Sequence, residues 1–412
     1  MIILYTVCII GLLHTYIIYP IILRWMAAPK KNNKNCHSES DSQLPTVSIL
    51  MAAYNEEMVI KKKIESILAT NYPFERLNIF IGSDNSNDNT NEIVEEIASK
   101  HSSLFFKNFT KRQGKPSIIN QLSEWANEAN PVDANHIYII TDANVLFSKE
   151  LIFELVKHFK NKELALVDSN IMNLGMKKEG ISYTESFYIK GEVQLKHLEG
   201  VIWQQTLGPL GGCFALRSTY YSDVPSKYLV DDFYIAMRAF EQGGKAINEP
   251  KAVCYEDVSH SIKEEFRRKT RIATGNFQNL KRFKKLWLIF PPNSLSFIFV
   301  SHKVLRWFGP FLIIGTWLSS GTLAYLGNLL FQLLFILESA FLLAVPLLYF
   351  AMQSLGIQSS IIRTITYFNA ANLAMLRGLF KYLKGVKTNV WQPTKRHTTE
   401  THSMGAEEVS YQ

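Results

Sequence analysis

The hydrophobic and polar positions of the chain change period three times. Residues 1 to 23 carry no charged side chain, and a run of that length is enough to cross a bilayer as a helix. From Thr46 onward short runs rich in β-branched residues (TVSILMAA, LNIFIGS, HIYIIT) alternate with stretches whose apolar residues recur at helical spacing, as at Ile60, Ile64, Ile67 and Leu68. Strands and helices in that order predict an α/β domain with a parallel sheet and crossover helices. A helical pattern returns from Ile181 to Leu198, and again from Asp231 to the Gly243-Gly244 pair. After Trp307 the pattern becomes almost unbroken hydrophobicity: Glu338 is the only charge between Trp307 and Ile362.

These periods divide the chain into a membrane helix at 1–24, a polar linker at 25–44, an α/β domain at 45–290 and an interfacial segment at 291–306. Two spanning helices follow at 307–327 and 330–352, then an interfacial or third transmembrane helix at 361–383 and a polar tail at 384–412. Arg24, Lys30, Lys31 and Lys34 follow the first apolar run with no basic residue before it, which places the amino terminus outside and the α/β domain in the cytoplasm. A cleaved signal peptide is the competing reading, but its basic leading segment is missing. Arg363 and Arg377 interrupt the last apolar stretch and Lys381, Lys384 and Lys387 follow it, which favours an interfacial or re-entrant helix there.

Composition adds little beyond this. A hydrophobic share of 47% in 412 residues is high for a chain that is only soluble, and a formal charge of +8 suits anionic lipid and an anionic substrate. No helix-turn-helix, zinc-finger or RNA-binding aromatic signature points to nucleic acid. Cys8, Cys36, Cys213 and Cys254 lie far apart and read as reduced thiols rather than as a disulfide set or zinc site.

Candidate chemistry sits at strand ends. The apolar run Ile137 to Ile140 stops at Thr141-Asp142-Ala143-Asn144, the carboxyl end of a strand, where open α/β sheets bind ligands. Asp142 and Asn144 carry oxygens two residues apart, suited to a hard divalent cation and phosphate, although either could instead cap a helix starting at SKELIFELVKHF. Asp84, Ser86, Asp88, Thr90, Glu92 and Glu95 mimic a calcium loop, but Asn89 stands where glycine is needed and a strand precedes it. Asp231 and Asp232 open a helix, which on its own is ordinary capping. Arg268 and Arg271 share a helix face and can clamp phosphate oxygens.

Taken in order, AAYNEE, GSDNSNDNT, RQGKPSIIN, TDAN, the LGPLGG turn, DDFYIAMR and EEFRRKTR resemble the family 2 glycosyltransferases, specifically the membrane-integrated inverting synthases of poly-N-acetylglucosamine, hyaluronan and cellulose. The resemblance covers residue 45 to about 310 and implies an A-type, Rossmann-like nucleotide-sugar fold. By position it implies that Asn55, Glu56, Asp84 and Lys115 contact the nucleotide, and that Asp142 and Asn144 hold Mg²⁺ or Mn²⁺ and the diphosphate. It makes Asp232 the catalytic base beside Asp231, and gives Arg268 and Arg271 the leaving diphosphate. The donor would be a UDP-sugar and the acceptor a carbohydrate or lipid-linked hydroxyl, at the inner face of the plasma membrane and alongside polysaccharide synthase partners. Asn144 replaces the second acidic residue of the family's Asp-x-Asp, and Ile272 follows Arg271 where the family has tryptophan. Both departures leave open a catalytically silent subunit, and the second leaves single transfer open against polymerisation.

Overall fold

The computed structural model describes residues 1–28, 36–39, 44–130, 135–174, 181–257, 262–357 and 359–390. Most of the linker and the tail beyond 390 therefore lie outside the described residues. The chain opens with helix α1, Ile2–Ala27. Four strands then alternate with helices: β1 Thr46–Ala53, α2 Ile60–Leu68, β2 Leu77–Ser83, α3 Thr90–Ala98, β3 Leu104–Asn108, α4 Lys115–Ala129 and β4 His136–Asp142. Their order in the sheet is β3-β2-β1-β4, all parallel. Buried Ile49, Met51, Ile79, Ile81, Ile137 and Ile139 form one layer of the core beneath α2 and α3, while Leu50, Phe80, Tyr138 and Ile140 face α4 on the other side. Both faces are covered, which is why these strands read as continuous apolar runs.

The second half departs from a purely parallel sheet. β5 Val145–Phe147, β6 Leu164–Leu174, β7 Cys213–Arg217 and β8 Lys245–Asp257 extend the order to β3-β2-β1-β4-β7-β6-β8-β5. β7 runs antiparallel to both β4 and β6, and β5 antiparallel to β8. β5 takes the residues directly after Asn144, turning Val145 and Phe147 into the core, and the helix expected from Ser148 forms as α5, Leu151–Val156, with Glu150 as its N-cap. Asp142 and Asn144 therefore cap no helix. The fold is the A-type, Rossmann-like nucleotide-sugar architecture.

Long helices complete the chain: α6 Ile181–Trp203, α7 Asp231–Glu241 and α8 Ile262–Arg282, then α9 Ser294–Trp307, α10 Gly309–Tyr325, α11 Leu329–Ser354 and α12 Ser360–Leu383. α1 and α11, at 26 residues each, are long and apolar enough to cross a membrane, and α9 with α10, bent by 62°, could add a third span. α12 lies along α8, with Gly378 against Ala273 and the Arg377 guanidinium 5.6 Å from the Phe266 ring.

A buried polar knot ties α1 to the α/β domain. Tyr19 of α1 donates to Glu199 Oε1 at 2.9 Å, and His302 Nδ1 lies 2.6 Å from the same oxygen. The other carboxylate oxygen of Glu199 accepts the Leu207 N–H at 3.3 Å. Glu192, about two helix turns earlier on α6, pairs with His302, Lys303 and Arg306. Paired in this way, the buried carboxylates and cations avoid the large desolvation cost of isolated charge.

Candidate active site

The carboxyl end of β4 is built from below. Lys63 of α2 is fully buried and donates to the Thr141 hydroxyl at 2.9 Å and to the Val145 carbonyl, with its ammonium 3.6 Å from the Phe147 ring centre. Burial pushes its pKa down to about 7, against the pull of Cys213, Cys254 and Asp142. Thr141 in turn donates to the Gly212 carbonyl at 3.0 Å, and the Asp142 N–H donates to the same oxygen at 3.0 Å. This lattice sets the direction in which Asp142 leaves the sheet.

Asp142 and Asn144 face different partners. Asp142 Oδ1 lies 2.6 Å from Lys115 Nζ, whereas Asn144 Nδ2 donates to Glu256 Oε1 at 2.9 Å. Glu256 arrives because β8 pairs with β5 in the register Val145 to Glu256. A second carboxylate thus stands beside the position where the sequence has lost one. The amide committed through its nitrogen keeps its oxygen as an acceptor, so Asp142 and Asn144 each retain an oxygen of the kind Mg²⁺ and Mn²⁺ prefer. Among the described residues no three acidic, His or Cys side chains close on one point, so phosphate oxygens would have to complete any coordination.

Lys115 bridges to the second acidic element. It starts α4 after Gly114, whose φ is +86°, and reaches Asp231 at 3.6 Å as well as Asp142. Burial disfavours its ammonium form, but Asp142 and Asp231 outweigh burial and hold its pKa above the usual lysine value. Asp231 and Asp232 open α7 without serving as its N-cap, which is Val230. Asp232 Oδ1 accepts the Phe233 N–H at 2.7 Å. Burial pushes its carboxyl up to about 6, the Asp231 carboxylate adds to that, and Lys115 works against both. Gly211, with φ of +92°, lies so close to Asp232 Oδ2 that a β-carbon would overlap it. The Gly-rich turn therefore brings bare backbone up to this carboxylate.

The strand ends of β1 and β2 interlock at the other rim. Asn55 takes the left-handed conformation, φ 52°, and its Oδ1 accepts the Asn87 N–H at 2.9 Å. The Glu56 N–H donates to Thr90 Oγ1 at 2.8 Å, and its side chain is buried. Asp84 is fully buried and accepts from Gln113 N at 2.7 Å, Gly114 N at 3.0 Å and Arg112 Nε at 3.1 Å, while that guanidinium stacks 3.2 Å over Tyr54. Asp84 thus fixes the loop that delivers Lys115.

Two family profiles match the chain: Glycosyl transferase family 2 over residues 48–224 and Glycosyl transferase family group 2 over residues 203–355. Residues 48–224 thus carry a glycosyl transferase family 2 domain. It is 28% identical over 187 residues to the beta-monoglucosyldiacylglycerol synthase of Trichormus variabilis, covering 45% of this chain and 36% of that protein. It is also 26% identical over 262 residues to the poly-beta-1,6-N-acetyl-D-glucosamine synthase of Staphylococcus epidermidis, covering 62% and 60%. The chain thus spans between about a third and three fifths of these curated relatives. In fold it is similar to the mannosyltransferase PcManGT from Pyrobaculum calidifontis, solved with GDP-Man and Mn²⁺, with a TM-score of 0.66 at 19% identity over 92% of this chain and 99% of that one.

The two arginines are not equivalent. Arg271 sits in the cleft with Asp231, Asp142 and Asp232 within electrostatic reach; crowding by protein atoms lowers its pKa although its surface stays open to solvent, and the three carboxylates offset only part of that. Arg268 is held on Glu185 of α6 and on Glu265, at 2.9 Å from the latter. Sequence reasoning missed Lys63, Glu256 and Glu199. Lys63 sits among the charged residues of IKKKIESIL, where spacing marks it as no more than a lysine on an amphipathic helix.

Proposed function

We propose that the chain is an inverting glycosyltransferase that moves a sugar from a UDP-sugar to the hydroxyl of a growing polysaccharide, oligosaccharide or lipid-linked acceptor at the cytoplasmic face of the plasma membrane. The observation that carries this reading is the convergence of Asp142, Lys115, Asp231, Asp232 and Arg271 around one cleft. Asp232 is the base: its raised pKa near 6 keeps it ionised at neutral pH yet basic enough to take an acceptor proton as the anomeric bond forms. Lys115 and Arg271 put fixed positive charge where the departing diphosphate accumulates negative charge. Asn55 and Glu56 stand at the nucleoside end of the same cleft, and the buried Asp84 acts there through the loop it holds, which carries Lys115.

Asp142 and Asn144 would hold a divalent cation, Mg²⁺ or Mn²⁺, which when bound supplies Lewis-acid stabilisation of the leaving diphosphate. A bound Mn²⁺ in the mannosyltransferase with the same fold supports that assignment. A single carboxylate base acting on the acceptor hydroxyl suits direct displacement, and so inversion, at the sugar carbon.

The deciding experiment replaces Asp232 with Asn and measures transfer from a panel of labelled UDP- and GDP-sugars in membranes, with donor binding measured separately. Transfer should be lost while donor binding persists, since a base matters in the transition state. Full transfer in that variant would overturn the mechanism; failure of the unaltered protein to bind any donor would favour a silent subunit.

A further inference from the structure

One hollow lies apart from the catalytic cleft, on the opposite face of α8. Glu265 and Lys269 stand on that face, whereas Arg271, two positions beyond Lys269, points round the helix to the cleft. The hollow is lined by Glu265, Phe266 and Lys269 of α8, Tyr349 and Phe350 of α11, and Arg363 and Tyr367 of α12. Its walls are apolar and aromatic, and two cations stand among them.

Three observations indicate what fills it. None of the most apolar window of α11 is buried against the chain, so in a bilayer that face of the hollow is covered by lipid and not by protein. The Tyr367 hydroxyl is buried with no hydrogen-bond partner among the described residues. Lys269 Nζ sits 5.0 Å from the Tyr367 ring and 5.5 Å from that of Tyr188, so its charge is carried on aromatic faces beside the apolar space.

We propose that this hollow is a binding site for an anionic membrane lipid, with one acyl chain between α11 and α12 and the phosphate at Lys269 and Arg363. Lys269 also pairs with Glu265 at 3.0 Å, and Glu265 pairs with Arg268. A phosphate on Lys269 competes with Glu265 for that ammonium and leaves Glu265 to Arg268 alone, one helical turn before the Arg271 of the cleft. The site rests on the membrane placement proposed above but not on the reaction chemistry.

The test is photolabelling of the full chain in phosphatidylcholine nanodiscs doped with a phosphatidylglycerol that carries a diazirine in one acyl chain. Recovery of the protein in the nanodisc fraction checks the membrane placement independently. Label should concentrate on the peptides containing Tyr349 to Ala371, and unlabelled phosphatidylglycerol should compete far better than phosphatidylcholine. Ala370→Trp, which fills the hollow, should remove that label. The Lys269→Gln, Arg363→Gln double variant keeps the hollow and should cut the preference for the anionic lipid about tenfold, the scale of a lost charge-assisted contact. Label spread evenly over α10 and α11, or displaced equally by both lipids, would overturn the proposal.

Discussion

Gly211 rests against the carboxylate of Asp232 with no room for a side chain between them, and its φ of +92° is one that other residues rarely adopt. Gly211→Ala should therefore push the carboxylate off its position while leaving the fold intact. A displacement of that order is expected to lower kcat by about a hundredfold. Steady-state kinetics with circular dichroism as the folding control checks this; unchanged kcat would mean the turn does not position Asp232.

The acidic pair gives a pH signature. Asp232 must be ionised to accept a proton, so kcat/KM should rise with pH through an apparent value of about 6. Because the Asp231 carboxylate helps to raise that value, Asp231→Asn should shift the rising limb to lower pH. The two carboxyls titrate as a pair, so the comparison is between whole profiles. A limb that moves upward in the variant would contradict the assignment of the like-charge contribution.

Asn144 and Glu256 make an unusual prediction about restoring the family's second acidic residue. Asn144→Asp puts a carboxylate where an amide now donates to Glu256 at 2.9 Å, so two negative groups would face each other. The single variant should lose Mn²⁺ affinity and activity by about tenfold, in line with one lost contact between half-buried groups. Adding Glu256→Gln should recover both, because the amide placed on β8 by that change can donate to the new carboxylate. Mn²⁺ binding by calorimetry and transfer rates distinguish this from a simple gain of affinity in the single variant.

Lys63 ties stability to pH. Its folded-state pKa near 7 lies below the value of an exposed lysine, so between about 7 and 10.5 the unfolded chain holds more protons than the native one. Stability should then rise with pH across that window, and Lys63→Met should flatten the rise. Melting temperatures of both proteins at pH 7 and pH 9 measure the difference; parallel slopes would show that the amine is not desolvated in the folded state.

The parallel half of the sheet was legible because strands buried on both faces announce themselves as β-branched runs ending in polar triplets, as at Ala53, Ser83 and Asp142. The antiparallel insertion of β7 was not, since CFALR is fully buried and carries no alternation that distinguishes strand direction. The same limit hid β5: three residues, Val145 to Phe147, are too few to show a period, and the helix behind them dominated the pattern. Within the site, Asp142 was marked by its strand-end position, whereas Asp231, Asp232 and Lys115 were singled out only by the family resemblance, since on position alone the two aspartates read as ordinary capping. Glu256 was not, because its place beside Asn144 depends on the β5 and β8 register and leaves no local trace.

Glu199 holds Tyr19 with one oxygen and the Leu207 amide with the other. Leu207 begins the turn that runs to Gly211, so the first helix is moored through one carboxylate to a turn that Asp168, accepting the Leu210 N–H at 3.3 Å, holds further along. A soluble fragment trimmed to start at Thr46 would cut that line while retaining every residue that touches donor or acceptor. Its rate constants would then describe a slack turn, and a low kcat from such a fragment would be a property of the trimming rather than of the enzyme.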